Sequence, residues 1–203
     1  MISHAAPEYR GVSWQWFSIG LAGAAIAAAV VLVMPVSACA AGLVPWTEPT
    51  PPAFDLAQVG APNAATFSLG SQRGDAVLVH FFASWCEPCR DELPALKRLA
   101  ERGAPDLKVV AVAVADTDSR LRRLLDETGV SFPVLVDRDR AVARAWSVST
   151  LPSTIVLDAR HRARLIVESD FAWDTIEPKQ LIGRLSRPEK DVLQQSSVTQ
   201  GGH

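Results

Sequence analysis

Two runs near the middle of the chain, residues 76–83 (AVLVHFFA) and 109–115 (VVAVAVA), are apolar at every position except His80. Runs of this length and composition read as strands buried on both faces, and such strands sit in sheets covered by helices on both sides. Between them, residues 89–102 place Leu93, Leu96, Leu99 and Ala100 on one helical face, and Gly103 and Pro105 stop that helix. After the second run, Asp116 or Thr117 can cap a helix that carries Leu121, Leu124 and Leu125 and ends at Gly129. A short strand is predicted at 134–136, a short helix near 139–146, strands at 154–157 and 163–167 joined by a turn at 158–161, and a last helix near 174–186. Phe67, Ser68 and Leu69 suggest a further strand or hairpin ahead of these. Alternating elements force a parallel region and the hairpin adds an antiparallel edge, so the expected fold class is α/β, three layers with a mixed sheet.

Charge divides the chain. Overall, 20 Lys and Arg face 22 Asp and Glu in 203 residues, with 48% hydrophobic residues. These values exclude a disordered chain, a collagen-like repeat and a multi-pass membrane protein, and the near-neutral balance argues against a nucleic-acid partner. Yet residues 11–47 carry no charged side chain. Within them, 19–36 (IGLAGAAIAAAVVLVMPV) has about the length that crosses a bilayer, with Trp14 and Trp16 placed as an interfacial belt and Arg10 on the near side. The positive-inside signal is weak, but it points to the N-terminus inside and the body outside. A retained anchor, a lipoprotein acylated on Cys39 within the lipobox-like Val36-Ser37-Ala38-Cys39, and signal cleavage among the small residues 37–41 all remain open, and all export the body. The expected organisation is a signal or anchor segment over 1–41, a Pro-rich tether over 42–54, a folded domain over 55–187 and a polar flexible tail over 188–203.

The chemistry-bearing motif is Trp85-Cys86-Glu87-Pro88-Cys89, at the junction of a buried strand and a helix. A CxxC in that setting is a redox signature, because a helix N-terminus offers unpaired N–H groups and a positive dipole end that stabilise a thiolate. Cys86 is expected to be exposed and nucleophilic; Cys89, one turn on, more buried and able to resolve a mixed disulfide. Pro88 suits the first turn, where no N–H is missed. Zinc would need two further ligands at similar spacing, and His80 and Cys39 are isolated, so no metal and no other cofactor is expected. A structural disulfide would close a very small loop and stabilise little.

The run VLVHFFASWCEPCRDELPAL resembles the thioredoxin-like fold, and within it the exported, membrane-tethered thiol–disulfide oxidoreductases of the TlpA/ResA type. The resemblance covers about residues 55–187, and 146–154 (WSVSTLPST) is similar to that family's segment around a cis-proline. It implies that Cys86 attacks, that Cys89 resolves, and that the two cycle through a Cys86–Cys89 disulfide. It implies a cis Pro152 lying against the motif, with the Leu151 backbone ready to pair with an extended client segment. Glu92 matches the family's acidic residue, which can shuttle protons and raise the thiol pKa. Glu87, between the cysteines, would disfavour the Cys86 thiolate, which points to a reductant rather than an oxidant. Trp85 is expected to shield the disulfide and shape the client surface, Pro94 to kink the helix, and Trp146 and Phe132 to be core residues. His80 departs from the pattern, standing where thioredoxin itself has a buried acid; a proton shuttle and a satisfied core histidine both fit it.

The implied function is reduction of client-protein disulfides outside the cytoplasm, with electrons from a membrane thiol donor and with apocytochrome c or copper-site cysteines as candidate clients. A disulfide-introducing oxidase or isomerase is the alternative. A peroxidase reading is weakened by Ala83, where that chemistry uses Thr, and a copper-delivery factor by the lack of a well-placed further ligand.

Overall fold

The computed structural model describes residues 42–61 and 65–186. The expected anchor over 1–41, with Cys39, and the expected tail over 188–203 lie outside the described residues. Among the described residues no helix is long and apolar enough to cross a membrane.

The elements run β1 (Val44–Pro45), β2 (Asp55–Ala57), β3 (Thr66–Ser68), β4 (Ala76–Phe82), α1 (Glu87–Gly103), β5 (Leu107–Val114), α2 (Asp118–Thr128), β6 (Val134–Asp137), α3 (Ala141–Ala145), β7 (Ser153–Leu157), β8 (Ala163–Val167) and α4 (Pro178–Leu185). Six strands form one sheet in the order β1-β8-β7-β4-β5-β6, and β2 pairs with β3 in a separate ribbon. β4, β5 and β6 are parallel, β7 is antiparallel to β4, and β8 is antiparallel to β7. This is the mixed sheet expected from the alternation of elements.

The period of two along β4 divides its side chains between two cores. Leu78 and Phe82 pack with Leu93, Leu96 and Leu99 of α1, Leu121 and Leu124 of α2, and Leu181 and Leu185 of α4. Val77, Val79 and Phe81 point the other way, into a core with Ala143 of α3, Trp146 and Phe54. His80 therefore falls on the α1 side of the sheet. Leu93, Leu96 and Leu99 are fully covered, so cutting any of them to Ala costs about 2–5 kcal/mol. α2 ends where expected, at Gly129, whose φ of +60° suits a left-handed cap.

Two expectations change. The stretch 42–54 does not hang free of the domain. Val44–Pro45 adds the edge strand next to β8, Phe54 is buried, and the Pro52 carbonyl accepts a 3.0 Å hydrogen bond from the Trp146 indole. Its prolines match a tether in composition, but proline also suits an edge strand. The last helix is shorter than 174–186. A 3₁₀ turn at Trp173–Thr175 is followed by extended backbone at Ile176 and Glu177, and Pro178 opens α4.

Candidate active site

β4 and α1 meet at the CxxC motif. Cys86 is the N-cap of α1, and its sulfur accepts a 3.4 Å hydrogen bond from the Cys89 N–H. Pro88 lies in the first turn, as expected. The two sulfurs form a disulfide, with Cα atoms 5.3 Å apart. Cys89 is completely buried. Cys86 is only 9% exposed, less open than expected, since the oxidised pair folds its sulfur against the helix end. Pro94 stands inside α1, where it removes one helical N–H donor.

Asp116, a candidate helix cap, has another task. Its carboxylate accepts from the Ser84 N–H at 2.6 Å, the Ser84 hydroxyl at 2.9 Å and the Thr117 N–H at 2.8 Å. Thr117 takes the N-cap position of α2 without a side-chain bond. Asp116 thus ties the end of β5 to the turn that carries the motif.

Beneath the disulfide the structure joins two residues that the sequence left separate. Glu92, three residues after Cys89 on α1, is 5% exposed, so it is not a solvated helix glutamate. Its Oε1 accepts from the Phe171 N–H and, at 3.0 Å, from the Trp173 indole. Its Oε2 faces Nε2 of fully buried His80 at 3.9 Å. His80 Nδ1 is 2.9 Å from the Thr154 hydroxyl. Among the described residues neither Oε2 nor Nε2 has a hydrogen-bond partner, although both are buried. Burial holds the His80 pKa down to about 3 and pushes that of Glu92 up to about 7, against the two hydrogen bonds that lower it. With His80 neutral, the 3.9 Å contact is not an ion pair. Phe171 and Trp173 are site residues that the sequence reading missed; they lie in the loop before α4, about 80 positions downstream, and carry no local signal.

The open side of the disulfide differs. The Leu151–Pro152 peptide bond is cis. Cys86, Trp85 and Leu151 line a groove of about 520 Å³ whose far wall includes Arg140 and Arg144. Trp85 is 57% exposed and lines the groove together with Cys86. Glu87 is exposed and lines a second cleft with Asp91, Glu92 and Asp170. Trp146 and Phe132 are core residues.

Comparison with known proteins places this geometry. The family model described as AhpC/TSA family matches residues 50–166. The chain is 34% identical over 96 residues to the thioredoxin-like protein YneN of Bacillus subtilis, a match covering 46% of this chain and 56% of that one. It is 31% identical over 109 residues to the thiol-disulfide oxidoreductase ResA of Bacillus subtilis, covering 52% of this chain and 59% of the relative. The matched region thus spans little more than half of each relative's length. Among solved structures, a thiol:disulfide interchange protein of the thioredoxin family from Chlorobium tepidum superposes with a TM-score of 0.56 at 23% identity, over 69% of this chain and 96% of that one. At that identity the likeness is one of fold. The sheet order, the CxxC at the N-terminus of α1 and the extent of the family match together make this chain a member of the AhpC/TSA family with a thioredoxin-like fold.

Proposed function

We propose that the protein is a thiol–disulfide oxidoreductase that reduces disulfides of client proteins outside the cytoplasm. The observation that carries this reading is the asymmetric disulfide: Cys86 lines an open groove beside the cis Leu151–Pro152 bond, while Cys89 is sealed. In the reduced protein the Cys86 thiolate attacks a client sulfur, the client disulfide breaks, and one client thiolate leaves. Cys89 then gives up its proton, attacks the Cys86 sulfur and releases the second client thiolate. Two electrons pass from the protein dithiol to the client, and the Cys86–Cys89 disulfide remains. Leu151 and Pro152 offer backbone for an extended client segment, and Trp85 offers an apolar contact.

Glu92 is the base for Cys89 in this scheme. It is buried one turn away and titrates near neutrality, where a proton acceptor works best. His80 backs it. Its Nε2 faces Glu92, and its Nδ1 shares a hydrogen bond with the Thr154 hydroxyl whose direction follows the ring tautomer. A buried carboxylate below the cysteines and the Glu87 carboxylate between them both oppose thiolate formation, which favours a reductant. The uncharged stretch 11–47 supports export, and the membrane can hold the N-terminal segment, through Cys39 or directly. An exported reductant needs a thiol donor in the membrane to return it to the dithiol state.

The reduction potential of the Cys86/Cys89 pair tests the direction. Equilibration with glutathione is expected to give a value close to the roughly −270 mV of thioredoxin; one near the roughly −120 mV of a strong disulfide-forming oxidant would assign the protein the opposite role.

A further inference from the structure

Charge is distributed unevenly around the disulfide. Among the described residues no acidic side chain lines the groove that Cys86 opens into, and Arg140 and Arg144 stand on its wall. Behind Trp85 a second hollow, of about 320 Å³, is lined by Arg90, Arg120, Arg123 and Glu127. Trp85 belongs to both hollows and is the ridge between them. Arg90 is paired with Glu127 at 3.3 Å, and Arg144 donates to the Asp139 carbonyl at 2.7 Å. Among the described residues, Arg120, Arg123 and Arg140 have no side-chain partner in any hydrogen bond or ion pair. Arg140 is also held at φ +62°, a backbone conformation that costs a non-glycine residue energy and gathers at functional positions. It is the N-cap residue of α3, so that conformation sets where its side chain leaves the groove wall. On the other side of the motif the cleft beside Glu92 carries Glu87, Asp91 and Asp170 and, among the described residues, no basic side chain. Unpaired arginines in the Cys86 groove and in the hollow behind Trp85 have a use if the incoming segment supplies the carboxylates.

We propose that the Trp85 groove takes clients whose disulfide lies in an acidic segment, with Asp or Glu side chains meeting Arg140 and Arg144 on one side of Trp85 and Arg120 and Arg123 on the other. This rests on the oxidoreductase reading and names the client class for it. The acidic cleft beyond Glu87 fixes the direction in which such a segment lies, because it repels the same carboxylates.

The test uses the reduced full chain and three disulfide-linked peptides of equal length. Their cysteines are flanked by Asp and Glu, by Asn and Gln, or by Lys and Arg. Initial rates of peptide-thiol release are divided by the rate of the same peptide with dithiothreitol, which removes the intrinsic reactivity of each disulfide. The acidic peptide is expected to react about tenfold or more faster than the basic one at low ionic strength, with the gap closing in about 0.5 M salt. The double variant Arg140→Glu/Arg144→Glu is expected to reverse the ranking. Equal normalised rates for the three peptides, a preference for the basic one, or an unchanged ranking in the double variant would overturn the proposal. Hydroxyethyl disulfide, small and neutral, separates the two levels. If the wild type reduces it but does not rank the peptides, only the client class fails. If the wild type does not reduce it, the oxidoreductase reading falls and takes the client class with it.

Discussion

The two sulfurs of one disulfide face opposite environments. Around Cys89 everything is closed: His80 is fully buried, Glu92 is 5% exposed, and Phe171 and Trp173 cover the carboxylate from a distant loop. Around Cys86 the groove is open, Trp85 projects from it, and arginines stand on its wall. Groups that handle a proton gain from burial, which moves their pKa values towards or away from neutrality. Groups that recognise a partner gain from exposure, where charge steers encounter at little cost to stability. One helix N-terminus serves both, because its first turn is the boundary between the core and the surface.

The largest effect is expected on the closed side. Glu92→Gln keeps an oxygen for the Phe171 and Trp173 donors but cannot take a proton. Resolution of a mixed disulfide at neutral pH should slow about 10²-fold, the scale of a lost general base. In the wild type that rate should rise with pH through about 7, as Glu92 loses its proton; in the variant the rise should move to the higher range set by the thiol itself. A rise near 7 that survives in Glu92→Gln would remove Glu92 from the mechanism.

Stability gives a second, smaller test of the same pair. Glu92 has a folded pKa raised from 4.5 to about 7, so the folded state holds the extra proton and its contribution falls as pH rises across that window. His80 has a folded pKa lowered from 6.5 to about 3, so its contribution is complete above 6.5 and is lost as pH falls towards 3. Where the windows overlap the two slopes oppose each other. Urea midpoints of Glu92→Gln should therefore climb with pH between about 4.5 and 6.5, those of His80→Asn should fall, and the wild type should stay flatter than either. Parallel curves for all three proteins would mean that the pair does not titrate as its burial dictates.

The smallest effect belongs to the open side. Trp85→Ala removes a side chain that is more than half exposed and should leave stability within about 0.5 kcal/mol. Its exchange with peptide disulfides should fall by up to about tenfold, the worth of one aromatic contact. A large loss of stability would show that Trp85 belongs to the core and would erase the contrast between the two sides.

Much of this was legible in sequence. The runs at 76–83 and 109–115 marked the centre of the sheet, and the position of the CxxC between strand and helix marked the site. What escaped depends on residues distant along the chain. Periodicity placed His80 in a strand and Glu92 on a helix, but only the packing of α1 on β4 brings Nε2 and Oε2 to 3.9 Å. Phe171 and Trp173 reach Glu92 from a loop that composition marks only as a loop. Prolines at 45–52 gave the signature of a tether, while the contacts that dock the stretch come from β8 and Trp146. Arg140 and Arg144 carry no signal in the sequence that would set them on the wall of the groove beside Cys86.

The division of labour between the two sulfurs is tested most directly by trapping. Cys89→Ser and Cys86→Ser proteins, incubated with client extracts and resolved under non-reducing conditions, should behave differently. The first should accumulate mixed disulfides through Cys86, which has lost its resolving partner, and the second should accumulate none. Equal trapping by both variants, or trapping by Cys86→Ser alone, would contradict the assignment of Cys86 to the open side and Cys89 to the closed one.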